Sequence, residues 1–344
     1  MIRFVALALV VVATQIAAAA DAPLHLDVLL PLTGGSGFFG QSEQQALRVY
    51  ESVVNKSDGV HGRPLQFDIH DDQSRSDVAV ALVRDLLQKH PTVILGRTLD
   101  ATATAIAPLV AGGPVFYSFS PGVIPAPRSY LFAASATLES NNISKLTAIR
   151  ALGYKRMAVL TETDATGVRN FAFTKEFFAS AASRSMEMVA SESYRPDDAS
   201  VTAQVAAIKN ANPDAITIWA SGPAFGVALR GLASAGLNVP VFTSQTDASP
   251  DQLAEYGNAL PKTLVVQGLP YQARAIPSEL KPAATEYLDA LKAAGLQPSP
   301  SHVYAWDPAK IVVSALRALP AGATAAQLRA YLLALHGFAG LSGV

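Results

Sequence analysis

The sequence contains no cysteine. That excludes disulfides, thiolate metal sites and a cysteine nucleophile. Charge is also scarce, with 15% Asp, Glu, Lys and Arg and a net charge of −1. No basic block occurs, so nucleic acid and anionic membrane surfaces are poor partners. Catalytic signatures are missing too. The six histidines are His25, His61, His70, His90, His302 and His336, and none sits at a metal-pair spacing. No serine lies in a Gly-x-Ser-x-Gly elbow. His70 beside Asp71 and Asp72 is the one histidine–carboxylate cluster. Neighbours on a strand point to opposite faces, so these three read as a surface turn. The chain is expected to be neither an enzyme nor a cofactor protein.

Long apolar runs are lacking as well, except at the N-terminus. There Arg3 is followed by apolar and small residues from Phe4 to about Ala13, and then by Ala18-x-Ala20. This is the order of a secretory signal peptide, too short for a membrane span. Cleavage is expected after Ala20, giving a mature start at Asp21 and an exported protein. With no cysteine near that point, a lipid anchor is not expected. About 324 of the 344 residues remain, which suggests two lobes rather than one core.

What the chain does contain is an alternation of β-rich and helical stretches. Strands are expected at Leu24–Leu30, Leu65–Ile69, Val93–Leu95 and Val115–Phe119, with helices near 41–55, 77–89 and 101–111 between them. A second set follows. Its strands are Met157–Thr161, Met186–Glu192, Ala215–Ala220 and Val241–Thr243, with helices near 168–183, 201–210 and 224–235. A strand at Leu264–Leu269 and helices at 279–294, 303–319 and 325–335 complete the pattern. The βαβ rhythm predicts two successive doubly wound α/β units with parallel sheets. The closing stretch from Phe338 to Val344 reads as the start of a strand or turn, and a further C-terminal tail is expected.

In such sheets ligands collect beyond the carboxyl ends of the strands. Three loops qualify. Pro31–Gly40 contains Gly35-x-Gly37-x-x-Gly40, which alone is a dinucleotide fingerprint. In an exported protein the better reading is a turn that brings backbone close to a small ligand. Gly96–Asp100 offers Arg97, Thr98 and Asp100, and Asp100 reads equally as a helix cap or a ligand contact. Ser118, Phe119 and Ser120 form the third loop, whose hydroxyls and amides suit a carboxylate or an ordinary turn.

Taken in order, several segments resemble the type I periplasmic binding proteins of ABC importers, specifically the Leu/Ile/Val-binding family. They are Pro31-Leu-Thr-Gly34 with Phe39-Gly40, Gly59-x-x-Gly62-Arg-Pro64, Asp71-Asp72-Gln73-Ser74, Asn212-Pro213-Asp214-Ala215, the stretch Leu229–Leu237, and Trp306-Asp307. The resemblance spans Leu24 to Val344. It implies two Rossmann-like lobes joined by a three-segment hinge. Lobe one would be 21–140 with 270–335, and lobe two 141–269 with 336–344. It further implies a monomer that closes on a small organic solute in the periplasm and then docks on a membrane permease.

The resemblance also implies a pocket. Phe39 matches a covering aromatic, Asp100 a serine, and Phe119, Ser120 and Pro121 a carboxylate cradle. Thr166 and Ser221 match two tyrosines, and Gln245 matches the acid that pairs with a ligand ammonium, with Asp247 two residues on. An amide cannot neutralise an ammonium, and the two lost tyrosines enlarge the pocket. The expected ligand is therefore a carboxylate without an α-ammonium, in an aromatic setting of Phe39, Phe119 and Tyr271. A branched-chain amino acid is the alternative ligand, and the sensing module of a receptor the alternative role.

Overall fold

The computed structural model describes residues 22–342, apart from 97–99, 121, 134–136 and 248–249. Apolar β-branched runs form buried parallel strands, and helices cover both faces. The first sheet comprises β1 (Leu24–Leu30), β2 (Leu65–Asp71), β3 (Val93–Gly96), β4 (Val115–Ser118) and β5 (Leu131–Ala133). Its order is β2-β1-β3-β4-β5, with every pair parallel. The helices between these strands are α1 (Gly37–Lys56), α2 (Ser76–Leu87) and α3 (Asp100–Ile106).

The second unit repeats this plan. It starts with α4 (Leu138–Ala151), then β6 (Arg156–Glu162), α5 (Ala165–Ala179), β7 (Glu187–Tyr194), α6 (Thr202–Asn210) and β8 (Ala215–Trp219). It ends with α7 (Gly222–Ser234), β9 (Val241–Thr243), α8 (Pro250–Tyr256) and β10 (Leu264–Val266). The sheet order is β10-β9-β8-β6-β7, again all parallel. Read from the other edge, it matches the first sheet position for position. The expected pair of doubly wound α/β lobes is present.

Three further helices, α9 (Lys281–Ala293), α10 (Pro300–Ala318) and α11 (Ala325–Ala334), return to the first lobe. With α1 they bury one face of its sheet around Leu47, Phe67, Tyr287 and Trp306. Helices α2 and α3 cover the other face around Val83, Ile94 and Phe116. In the second lobe α6 and α7 pack on one face, and α4 and α5 on the other.

Several elements depart from expectation, the unexpected helix α8 and a shorter α3 among them. Helix α1 begins at Gly37 rather than Gln41, because the loop turns into helix as soon as Gly40 can pack against the end of β1. A Cβ at Gly40 would lie 2.3 Å from the Pro31 carbonyl oxygen, so only glycine permits this approach. Helix α4 was not anticipated, because its buried positions Asn142 and Lys145 interrupt the apolar period. Strand β5 has three residues, too few to show an alternation.

The chain passes from lobe one to lobe two after β5 and back after β10. Beyond α11 it lies against lobe one as far as Ser342. This differs from the expected placement of 336–344 in lobe two; Gly343 and Val344 are outside the described residues. The anchor is Asp307 on α10. Its buried carboxylate accepts from the Leu341 N–H at 3.0 Å, the Ser342 N–H at 2.9 Å and the Ser342 hydroxyl at 2.6 Å. Leu341 itself is buried in the lobe-one core. Asp307→Ala strips these donors of their acceptor. It is expected to destabilise lobe one by about 2 kcal/mol, seen as a lower midpoint in urea denaturation.

Candidate functional site

Each sheet reverses its winding beside its first strand, between β1 and β3 and between β6 and β8. The carboxyl ends of these strands leave a crevice in each lobe. The two crevices face one another and enclose a cleft of about 430 Å³. Lobe one contributes Ser36, Phe38 and Phe39 at the start of α1, Ser74, Ser120, and Tyr304 from α10. Lobe two contributes Asn141 on α4, Glu162 and Trp219 at the ends of β6 and β8, Asn170 on α5, Ser221 and Gln245.

The lobe-one wall is held by side chains that cap loops. Asp71 accepts from the N–H groups of Leu32, Thr33 and Gln73 and from the Thr33 hydroxyl, and so fixes the Pro31–Gly35 turn. Ser74 accepts from the Ser36 N–H at 3.1 Å, which ties that turn to the loop after β2. His70 is not part of this arrangement and bonds Asp27 at 2.8 Å.

Among the described residues, contacts cross between the lobes at several places. The Gln245 amide donates to the Tyr304 hydroxyl at 2.6 Å. Arg169 on α5 donates to the Gly122 carbonyl at 2.6 Å. The Phe38 ring lies over Gly222, where an added Cβ would stand 2.6 Å from Cε1. Gly222 also has φ +56°, which disfavours any other residue.

The expected site residues separate under this geometry. Phe39, Ser120, Thr166, Ser221 and Gln245 share the cleft wall. Ser118 is fully buried behind it, its hydroxyl accepting from the Ser120 N–H at 3.1 Å. Phe119 points into the lobe-one core, as does Tyr271, so neither supplies an aromatic wall. Asp247 lies beneath the wall, accepting from the Thr243 and Ser244 hydroxyls at 2.7 and 3.0 Å. Asp100 is the first residue of α3. Arg97, Thr98 and Pro121 lie outside the described residues. The supposed cradle is self-satisfied at two positions, since the Gly122 N–H also bonds inward, to the Ser120 hydroxyl at 3.2 Å.

Residues that sequence reading passed over carry much of the site: Phe38, Tyr304, Glu162, Asn170 and Trp219. Position gave a signal for two of them. Glu162 and Trp219 each end a strand at the winding reversal, where ligand contacts are expected.

The electrostatics of the lobe-two wall are unusual. Glu162 is buried, which pushes its carboxyl from 4.5 up to about 7; Asp164 and Asp247 add to the shift and the Ser221 N–H opposes it. Burial likewise raises Asp247 to about 6, against the bonds from Thr243 and Ser244 and the charge of Lys145. Lys145 on α4 is itself buried, and burial lowers it to about 7 despite Asp247. Its ammonium lies 3.1 Å from the centre of the Trp219 ring. Such a contact contributes about 1–2 kcal/mol, less than the several kcal/mol lost on burying an unpaired ion.

The fold and the cleft define a two-lobed protein that takes a small ligand between its sheets. Residues 23–344 match the family profile described as periplasmic binding protein, and the chain belongs to that family. Its two all-parallel five-stranded lobes have the type I fold of that family. No curated protein matches it. Among solved structures it resembles a solute-binding protein of an ABC transporter from Rhodopseudomonas palustris in complex with benzoate, at 20% identity, with 93% of this chain and 88% of that one covered and a TM-score of 0.78. It resembles another from Rhodopseudomonas palustris BisB5 in complex with 3,4-dihydroxybenzoic acid, at 23% identity, 90% and 84% coverage and a TM-score of 0.74. A third, described as a candidate branched-chain amino acid ABC transporter from Rhodospirillum rubrum, is 22% identical, with 94% and 92% coverage and a TM-score of 0.65.

Two outcomes are expected. Gly222→Ala should weaken ligand binding about tenfold by obstructing closure on Phe38; in a Phe38→Ala background the same change should shift affinity less than about threefold, measured by calorimetry. Glu162 binds a proton more tightly when folded, so its share of stability is present at low pH and lost as pH rises from 4.5 to about 7. Glu162→Gln should therefore stabilise the fold at pH 8 relative to the parent and leave it nearly unchanged at pH 4, as urea titrations at the two pH values would show.

Proposed function

We propose that this protein captures small aromatic carboxylates, hydroxylated ones included, for import by an ABC transporter permease. The observation that carries the reading is the Gln245–Tyr304 pair across the cleft. A neutral amide stands where the resemblance places an ammonium-pairing acid, and it bonds a phenol from the other lobe. The rings of Phe38, Phe39, Trp219 and Tyr304 give the cleft aromatic surface on both sides. Among the described residues the buried Gln245 Oε1 has no hydrogen-bond partner, and it is an acceptor for a ligand hydroxyl. The volume suits a single substituted ring. Two structural relatives hold benzoate and 3,4-dihydroxybenzoic acid.

Export through the residue 1–20 leader, with cleavage after Ala20, belongs to this reading, as does action as a monomer. So does the wider ligand set of Phe39, Ser120, Thr166, Ser221 and Gln245.

One observation favours a second ligand. Glu162 on the wall offers an acid at a new position for the ammonium of a branched-chain amino acid. Calorimetry separates the two readings. Benzoate and 3,4-dihydroxybenzoate are expected to bind with a Kd of about 1 μM or below, and leucine at least about a hundredfold more weakly. Tighter binding of leucine would overturn the aromatic reading.

A further inference from the structure

The α4/α5 side of the second sheet is polar near the carboxyl ends of its strands. Side chains alternate along a strand, so Met157, Val159 and Thr161 share this face, as do Ala215, Thr217 and Trp219. Against them lie Asn142 and Lys145 from α4 and Asn170 and Thr174 from α5. The amide of Asn142 donates to the Asn170 carbonyl at 2.8 Å and the Thr174 hydroxyl at 3.1 Å. The Trp219 indole N–H donates to the same hydroxyl at 3.1 Å, which pins the ring. Within this chamber Lys145 Nζ, Asn142 Oδ1, Asn170 Oδ1 and Thr161 Oγ1 are buried and have no hydrogen-bond partner.

Lys145 is the outlier. It is 4% exposed, and among the described residues its ammonium has no hydrogen-bond partner, with only the charge of Asp247 acting on it. Its helix nevertheless leads to the cleft. Leu138 and Asn141 line the cavity, and Lys145 stands seven and four residues further along, on the same helix face. Asn170 and Trp219, its neighbours across the chamber, also line the cavity. The amine is thus one ring away from the ligand space, on a flexible four-carbon stem. Meanwhile the lobe-one loop expected to cradle a carboxylate has two of its amides bonded inward.

We propose that Lys145 is the counter-charge for the ligand carboxylate, which binds at the inner, lobe-two end of the cleft beside Asn170 and Trp219. The amine rests on the Trp219 ring. On binding, it turns from the ring to the carboxylate, and a buried ion gains its partner. Asp247 after β9 is the charged group that acts on it, and Asp247 and Asp164 in turn act on Glu162 at the end of β6. An anion raises the affinity of Lys145 for its proton. Because Lys145 titrates at about 7 in the empty protein, binding takes up a proton at and above neutral pH, and affinity falls as pH rises past 7. A carboxylate beside Glu162 acts with the same sign, and Glu162→Gln removes that share.

This inference rests on the proposed anionic ligand, and the test keeps the two apart. Calorimetry on the mature chain compares benzoate with benzamide for the parent, Lys145→Met and Lys145→Gln. Benzoate affinity is expected to drop at least about thirtyfold in both variants, with benzamide changed less than about threefold. The melting temperature of the unliganded variants should be equal to or above that of the parent, since a buried charge is gone. Unchanged benzoate affinity, or equal losses for benzoate and benzamide, overturns the proposal. Should the variants not fold, the parent with Glu162→Gln decides: benzoate binding at pH 8 in buffers of different ionisation enthalpy must show proton uptake, and none overturns it. If leucine proves to be the ligand, the aromatic reading fails alone. The assignment of Lys145 then stands if Lys145→Met lowers leucine affinity thirtyfold, and falls if it does not.

Discussion

Parallel pairing around two first strands governs this molecule. Once β1 is flanked by β2 and β3, and β6 by β7 and β8, each chain direction must reverse its winding there. A gap opens at the carboxyl ends of those strands because consecutive connections leave to opposite faces of the sheet. Several of the cleft residues are delivered to that gap by the ends of strands. Glu162 ends β6, Trp219 ends β8, and the Phe38–Phe39 pair follows the turn after β1. Neither lobe makes a complete site. The second lobe brings acids, amides and an indole; the first brings phenyl rings and a phenol.

That division sets what sequence could reveal. Strands such as Leu24–Leu30 and Met157–Thr161 were legible because burial on both faces demands an apolar run. The two-lobed plan followed from their repetition. Phe39, Ser120, Thr166, Ser221 and Gln245 could be placed through loop position and resemblance. Phe119 could not, because whether a residue just past a strand turns inward or outward depends on one step of the pleat. Helix α4 was hidden for a more instructive reason. Its core-facing side carries Asn142 and Lys145, so the feature that obscured it as a helix is what makes it chemically interesting. Tyr304 was unreadable as a site residue because its helix belongs to the far end of the chain, and only tertiary packing brings it to Gln245.

The lobe-two wall also shows how one fold can change cargo. Burial holds Glu162, Asp247 and Lys145 all near neutrality, so the net charge facing the cleft is adjustable by what enters it. A site built from strongly ionised groups would be committed to one ligand charge. Here a protonated Glu162 is a donor and an ionised one an acceptor, within the same space. The dipoles of Gln245 and Asn170 and the ring surfaces on the same cleft do not titrate.

The position of the two tryptophans has an optical consequence. Trp306 is sealed in the lobe-one core, edge-on to Tyr50 and Tyr287. Trp219 stands at the cleft with a cation against its face. Ultraviolet emission from this protein therefore contains one silent fluorophore and one that senses occupancy. Departure of the ammonium, or arrival of a ring, alters the field across the Trp219 indole while Trp306 supplies an internal constant. The chain carries its own ratiometric signal, with no dye to attach and no cysteine to misdirect one.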